Sequence, residues 1–175
     1  GWIFLGKNAD SERSHVMTRR ENREFRSRIR ELMQNHDVQK MHEFPQHGRT
    51  STLDHSIRVA KLSFWMSRRI PVRFRTQSLI RGAMLHDFYL YDWHKPEEAQ
   101  PLHGFRHPAT ALRNARKHFA LNKVEENVII SHMWPLTLRK VPRCREAALV
   151  CLADKICSLH ETVVGWKNNP RHLVR

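Results

Sequence analysis

Apolar residues along this chain recur mostly at three- and four-residue spacing, and no stretch sustains the alternation of a half-buried strand. From Thr18 to about Met41 they fall at Phe25, Ile29, Leu32 and Met33, which predicts an amphipathic helix. Its other face holds Arg19, Arg20, Arg23, Arg26, Arg28 and Arg30, mixed with Glu21, Glu24 and Glu31; Glu24 and Arg28 have the spacing of a helical ion pair. Pro45 should lie beyond the helix, and Gln46-His47-Gly48 reads as a loop. Ser51 or Thr52 can cap a second helix over about 53–69, with Ile57, Ala60, Leu62 and Phe64 inward and Pro71 as its breaker. A third helix is expected from Phe74 to Phe88, apolar at Leu79, Ile80, Ala83 and Met84. Tyr89 to Phe105 reads as a polar, aromatic loop. Pro108 suits the first turn of a fourth helix reaching Phe119. A fifth should run from Val124 to Met133, and a sixth from Arg143 to Val164 with Gly165 as its stop. The expected fold is all-α, a compact array of about six helices. Their unequal lengths and long connections do not suit a simple up-down bundle.

A length of 175 residues suits one domain. The expected organisation is an N-terminal extension over 1–18, a helical domain over 19–165 and a basic tail over 166–175. Trp2-Ile3-Phe4-Leu5 is too short for the apolar region of a signal peptide, and no basic stretch precedes it. No apolar run approaches the roughly 18 residues of a membrane span. Three cysteines, an odd number, form no disulfide framework and fit a reducing compartment, so the cytoplasm is the expected location. Charge changes the picture more. The chain carries 31 Lys+Arg against 17 Asp+Glu, a net +14, which favours anionic partners such as phosphates, nucleic acid or acidic lipid.

The chain also has 13 histidines, and several stand where an apolar helix face should continue. His55 lies in Leu53-Asp54-His55-Ser56-Ile57-Arg58-Val59-Ala60. His86-Asp87 closes Gly82-Ala83-Met84-Leu85, His132 follows Ile129-Ile130-Ser131, and Asp154 sits in Cys151-Leu152-Ala153-Asp154-Lys155. His107 stands where a loop meets a helix, with His103 as an alternative. An ionised aspartate among apolar neighbours is costly unless paired or bound to a metal. Imidazole with carboxylate and no thiolate pattern suits Mn, Fe, Co, Ni or Zn. His15, His36, His118, His160 and His172 read as ordinary core or surface residues.

The order His55, His86-Asp87, Asp154, with these flanks, resembles the signature of the HD-domain superfamily of metal-dependent phosphohydrolases over about residues 50–160. Leu85-His86-Asp87-Phe88-Tyr89-Leu90-Tyr91-Asp92-Trp93 and His132-Met133-Trp134-Pro135 are similar to segments of bacterial HD hydrolases without assigned substrate. The resemblance implies that His55, His86, Asp87 and Asp154 hold one divalent transition metal. Asp87 would bridge to a second ion held by His107 and His132. One departure stands out: Phe88-Tyr89-Leu90-Tyr91-Asp92 follows the pair where the cyclic-dinucleotide branch has a Gly-Lys turn.

The implied activity is hydrolysis of a phosphomonoester or phosphodiester, a nucleotide among the candidates, by a metal-activated hydroxide. Asp87, Arg58 and Lys95 are the expected catalytic residues, the two cations being set to meet phosphate. Arg49, Arg106 and Lys155 also flank the ligands. Tyr89, Tyr91, Trp93 and Trp134 could stack a nucleobase or simply pack the loop. Two other readings stay open: a di-iron oxygenase of the HD type, because four histidines and two aspartates suit iron, and a non-enzymatic polyanion-binding module built on the arginine-rich first helix.

Overall fold

The computed structural model describes residues 17–47, 50–89 and 103–167. Among these the fold is all-α with one small hairpin. Helix α1 (Arg19–Gln34) starts with a capping box: Thr18 Oγ1 accepts from Glu21 N–H, and Glu21 Oε2 accepts from Thr18 N–H. It buries Phe25, Ile29 and Leu32. The single helix expected from Thr18 to Met41 is broken at Asn35. The Asn35 side chain accepts from Asp37 and Val38 N–H and starts α2 (His36–Lys40). Asparagine offers the backbone an alternative to helix continuation, which apolar spacing does not reveal.

A 3-10 turn (Met41–Glu43) leads into a short antiparallel hairpin, β1 (Pro45–His47) and β2 (Thr50–Ser51), where a loop was expected. Ser51 caps α3 (Thr52–Ser67), its Oγ accepting from Asp54 N–H at 3.1 Å. Helix α4 (Thr76–Leu85) is shorter than the expected Phe74–Phe88 segment, because the chain turns at His86 and Asp87. Helix α5 (His103–His118) begins before Pro108 and continues through it, whereas the proline was expected in the first turn. Helix α6 (Lys123–Ser131) has a second capping box, Asn122 with Glu125. Helix α7 (Arg145–Lys167) runs past Gly165, which was expected to end it. A glycine inside a helix costs about 1 kcal/mol relative to alanine, an amount that tertiary packing can override.

Helices α3 and α4 share the largest interface; α7 packs on α3, α6 on α4 and α7, and α5 on α6. Phe64, Leu79, Ile80, Met84, Leu85, Phe88 and Ile129 are fully buried between them. Helix α1 lies over α4 and α3. Among the described residues no helix is long and apolar enough to cross a membrane. At Gly82, α4 lies close against α6, since a Cβ there would be 2.8 Å from Val128 Cβ. Val128 Cβ is fixed to the backbone, so the helices themselves would have to separate. Gly82→Ala should therefore destabilise by about 1–2 kcal/mol despite alanine's better helix propensity, read as a lower denaturant midpoint. Adding Val128→Ala to that protein should recover part of the loss.

Candidate metal centre

Five separate elements each contribute to one buried cluster. His55 lies in α3, His86 and Asp87 in the turn that ends α4, His107 in α5, His132 just after α6, and Asp154 in α7. All six side chains are buried. His55 Nε2 is 3.1 Å from Asp154 Oδ1 and 3.8 Å from Asp87 Oδ2. His86 Nε2 is 3.3 Å from Asp87 Oδ2 and 3.7 Å from Asp154 Oδ1. The other Asp87 oxygen, Oδ1, is 3.3 Å from both His107 Nε2 and His132 Nε2, which are 2.8 Å apart. Ligand atoms of His55, His86 and Asp87 form one close group, and those of Asp87, His107 and His132 form another. Ligand atoms around one ion with bonds of about 2.0–2.2 Å are separated by distances of this size.

The outer ring nitrogens show why these imidazoles face inward. His86 Nδ1 lies 2.7 Å from the Ala83 carbonyl, and His132 Nδ1 lies 2.7 Å from the Ile129 carbonyl. A carbonyl only accepts, so each Nδ1 carries the hydrogen and each Nε2 turns to the cluster. His55 Nδ1 is likewise held by Glu161 Oε2 at 2.9 Å. Locking the outer nitrogen in this way orients a histidine as a metal ligand. His86 Nε2 and Asp87 Oδ1 are buried and make no hydrogen bond. Two orphaned polar atoms aimed into a ring of imidazole and carboxylate fit divalent transition metals.

Charge within the cluster is tightly coupled. Burial alone would push His55 down, but its hydrogen bonds to the Asp154 and Glu161 carboxylates outweigh it and hold the ring at about 9. His86 is held well above the ordinary imidazole value: burial opposes protonation, and the Asp87 and Asp154 carboxylates overcome it. Burial would raise Asp87, yet the His86 charge and contacts from His107 and His132 keep it well below the usual range. Asp154 is lowered against burial by His55 and His86. His132 is pushed down, chiefly by burial. Protons on His55 and His86 thus balance the carboxylates when no cation does.

Other residues anticipated at the site fall in varied places. Arg58 Nη1 is 3.1 Å from Glu161 Oε1 with its side chain still half exposed. Lys155 Nζ turns to the carbonyls of His132 (2.9 Å) and Cys151 (3.4 Å). Trp134 is partly exposed. Tyr89 is buried, its hydroxyl donating to Gln46 Oε1 and lying 3.2 Å from Thr52 Oγ1, so it packs rather than stacks. Lys95, Arg49, Tyr91 and Trp93 lie outside the described residues, as do the side chains of His103 and Arg106.

Two contributors carried no signal in the sequence. Glu161 is a buried carboxylate on α7, lowered because its bonds to His55 and Arg58 outweigh burial. Gln46 donates from Nε2 to Asp87 Oδ2 at 2.6 Å, and this contact spans 41 positions of chain. The family model for the HD domain matches residues 52–159. That span contains all six cluster residues, while Gln46 and Glu161 fall just outside it. No curated protein and no solved structure matches the chain.

In chelator, protonated His55 contributes stability that is complete below its unfolded value of 6.5 and is lost as pH rises through about 9. The lowered Asp87 and Asp154 act oppositely. Their contribution is complete above the unfolded value of 3.8 and fades in stronger acid. Denaturant midpoints should therefore fall from pH 6.5 to 9 without metal. Added Co²⁺ needs bare Nε2 lone pairs, so its stabilisation should grow over the same interval. Parallel pH trends with and without the ion would show that the ion binds elsewhere. Glu161→Gln should weaken Co²⁺ affinity about 10–100-fold, measured by calorimetric titration, with little change in helical content.

Proposed function

Because the chain belongs to the HD-domain family, we propose that it is a metal-dependent phosphohydrolase acting on a phosphomonoester or phosphodiester. Proteins of this family are generally hydrolases, bind divalent metals and act on phosphate-containing substrates. The carrying observation is the split carboxylate: Asp87 Oδ2 faces His55 and His86 while Oδ1 faces His107 and His132. A carboxylate in that position spans ions about 3.5–4 Å apart.

His55, His86, Asp87 and Asp154 would hold one divalent ion, and Asp87, His107 and His132 the other. Such ions supply Lewis acidity at phosphorus and a water acidic enough to attack at neutral pH. The chain's own part is to orient and to exclude competitors. Gln46 fixes the plane of Asp87, and Glu161 fixes the ring of His55. The Lys155 ammonium ties α7 to the turn carrying His132. We assign the exposed edge of the Arg58 guanidinium, and Lys95, which falls between Asp87 and His107 in the amino-acid order, to the substrate's phosphate oxygens. Trp134, two residues beyond His132, offers a partly exposed face on which a nucleobase can stack, which supports a nucleotide substrate. The chain's thiols are poorly set up as nucleophiles, and burial raises Cys144. Burial pushes Cys157 up to about 12, and Cys151 is buried with its Sγ set toward the Trp134 carbonyl at 3.1 Å.

Protein loaded with Mn²⁺ or Co²⁺ should release phosphate or p-nitrophenol from p-nitrophenyl phosphate or its bis ester. His86→Ala combined with Asp87→Ala should reduce the rate at least 1,000-fold and abolish tight metal binding. Activity surviving that double change would remove the cluster from the reaction. Oxygen uptake by iron-loaded protein without phosphate release would move the chain to oxygen chemistry.

A further inference from the structure

We propose that the outer face of α1 docks the phosphate backbone of double-stranded nucleic acid, independently of the reaction at the metal centre. Helix α1 sorts its charges by direction. At 100° per residue, Arg19, Arg23, Arg26 and Arg30 fall within an arc of roughly 60° and extend over about 16 Å. All four are exposed, and none has an ion pair or side-chain hydrogen bond among the described residues. Asn22 and Ser27 lie among these arginines, and the space between the side chains is open.

The acidic residues that would neutralise such a stripe are engaged elsewhere. Glu21 Oε1 pairs with Arg69 Nη1 at 3.1 Å. Glu24 Oε1 pairs with Arg28 Nη2 at 2.8 Å and also with Arg68. Arg68 and Arg69 follow the C-terminal end of α3, so these pairs bolt α1 to the core along its opposite flank. Glu31, exposed, projects roughly 100° round the helix from the centre of the stripe. The mixed charge visible in sequence resolves into a paired inner flank and an unpaired cationic edge.

The chemistry of that edge selects its partner. Guanidinium forks recognise phosphate in bidentate fashion. The stripe contains no aromatic residue, so it lacks the stacking platform of a single-strand binder. Its apolar residues, Phe25, Ile29 and Leu32, are buried in the core, so α1 has no apolar face to insert into a membrane. A duplex presents one charge about every 1.7 Å of its axis, dense enough to meet all four arginines. The anchoring residue Arg68 lies about 20 Å along α3 from His55, so the edge is separate from the metal centre.

The test measures binding of a fluorescent 20-base-pair duplex to the full chain by anisotropy over 50–200 mM salt. Four phosphate contacts predict a log–log salt slope near −3.6, about a 150-fold loss of affinity over that range. Changing Arg19, Arg23, Arg26 and Arg30 together to Gln should remove most binding and flatten the slope. Changing only Arg23 and Arg26 should remove about half the slope. A control with Lys61, Arg113, Lys117 and Lys140 changed to Gln loses the same charge from other surfaces and should bind nearly as the parent does. Helical content and metal-dependent hydrolysis should be unaltered in every variant. Equal losses in stripe and control variants would reduce the effect to net charge and overturn the proposal. It would also fail if the duplex did not bind, if vesicles containing phosphatidylserine bound instead, or if polyglutamate competed as well as DNA.

Discussion

An ionised carboxylate cannot stay buried without compensation, and Asp87 is buried at the meeting point of five chain segments. Everything near it answers that requirement. His86, His107 and His132 bring ring nitrogens to 3.3 Å, and Gln46 brings an amide hydrogen. Each partner must arrive from a different element, so α4, α5, α6 and the hairpin all converge on a group that none of them could bury alone. The helix ends serve the same need: His86 and His132 each follow a last helical turn, where a free carbonyl takes the outer ring nitrogen.

His55, His86, Asp87, His132 and Asp154 stood out in the amino-acid order because each ends or interrupts an apolar run, whereas His107 rested on the resemblance to the HD-domain signature, with His103 as its alternative. A buried helix advertises its inward positions, and a histidine or aspartate there demands an explanation. Helix existence was legible in the apolar spacing itself, and the cap of α3 was narrowed to Ser51 or Thr52. Several features were not. The break at Asn35 depends on one side chain outcompeting the next helical hydrogen bond. Helix α5 begins five residues before Pro108, a start that the proline's preference for a first turn does not reveal. Glu161 and Gln46 depend on partners 106 and 41 positions away, and nothing in their own surroundings marks them. Arg58 shows the same limit. Its place one turn from His55 points toward the centre, but a distant carboxylate determines what its guanidinium touches.

The net charge of +14 is likewise unevenly spent. At the buried cluster, imidazole and carboxylate charges offset each other within a few ångströms, so the surplus lies on the surface. On α1 the surplus is partitioned further, because glutamates pair with arginines from outside the helix as well as with Arg28. Local composition therefore understates the basic character of one face. Charge counted per residue and charge counted per direction are different quantities, and the second governs contact with a polyanion.

Helix α7 serves both halves of the cluster at once. Through Asp154 it reaches the imidazoles of His55 and His86, and through Lys155 it grips the turn that carries His132. A slide of this rod along its axis would drag both ends of the ligand set in register. Asp154 and the Lys155 ammonium therefore move as one body. Insertions that lengthen α7 before Asp154 would displace the carboxylate and the ammonium together and so upset both contacts at once.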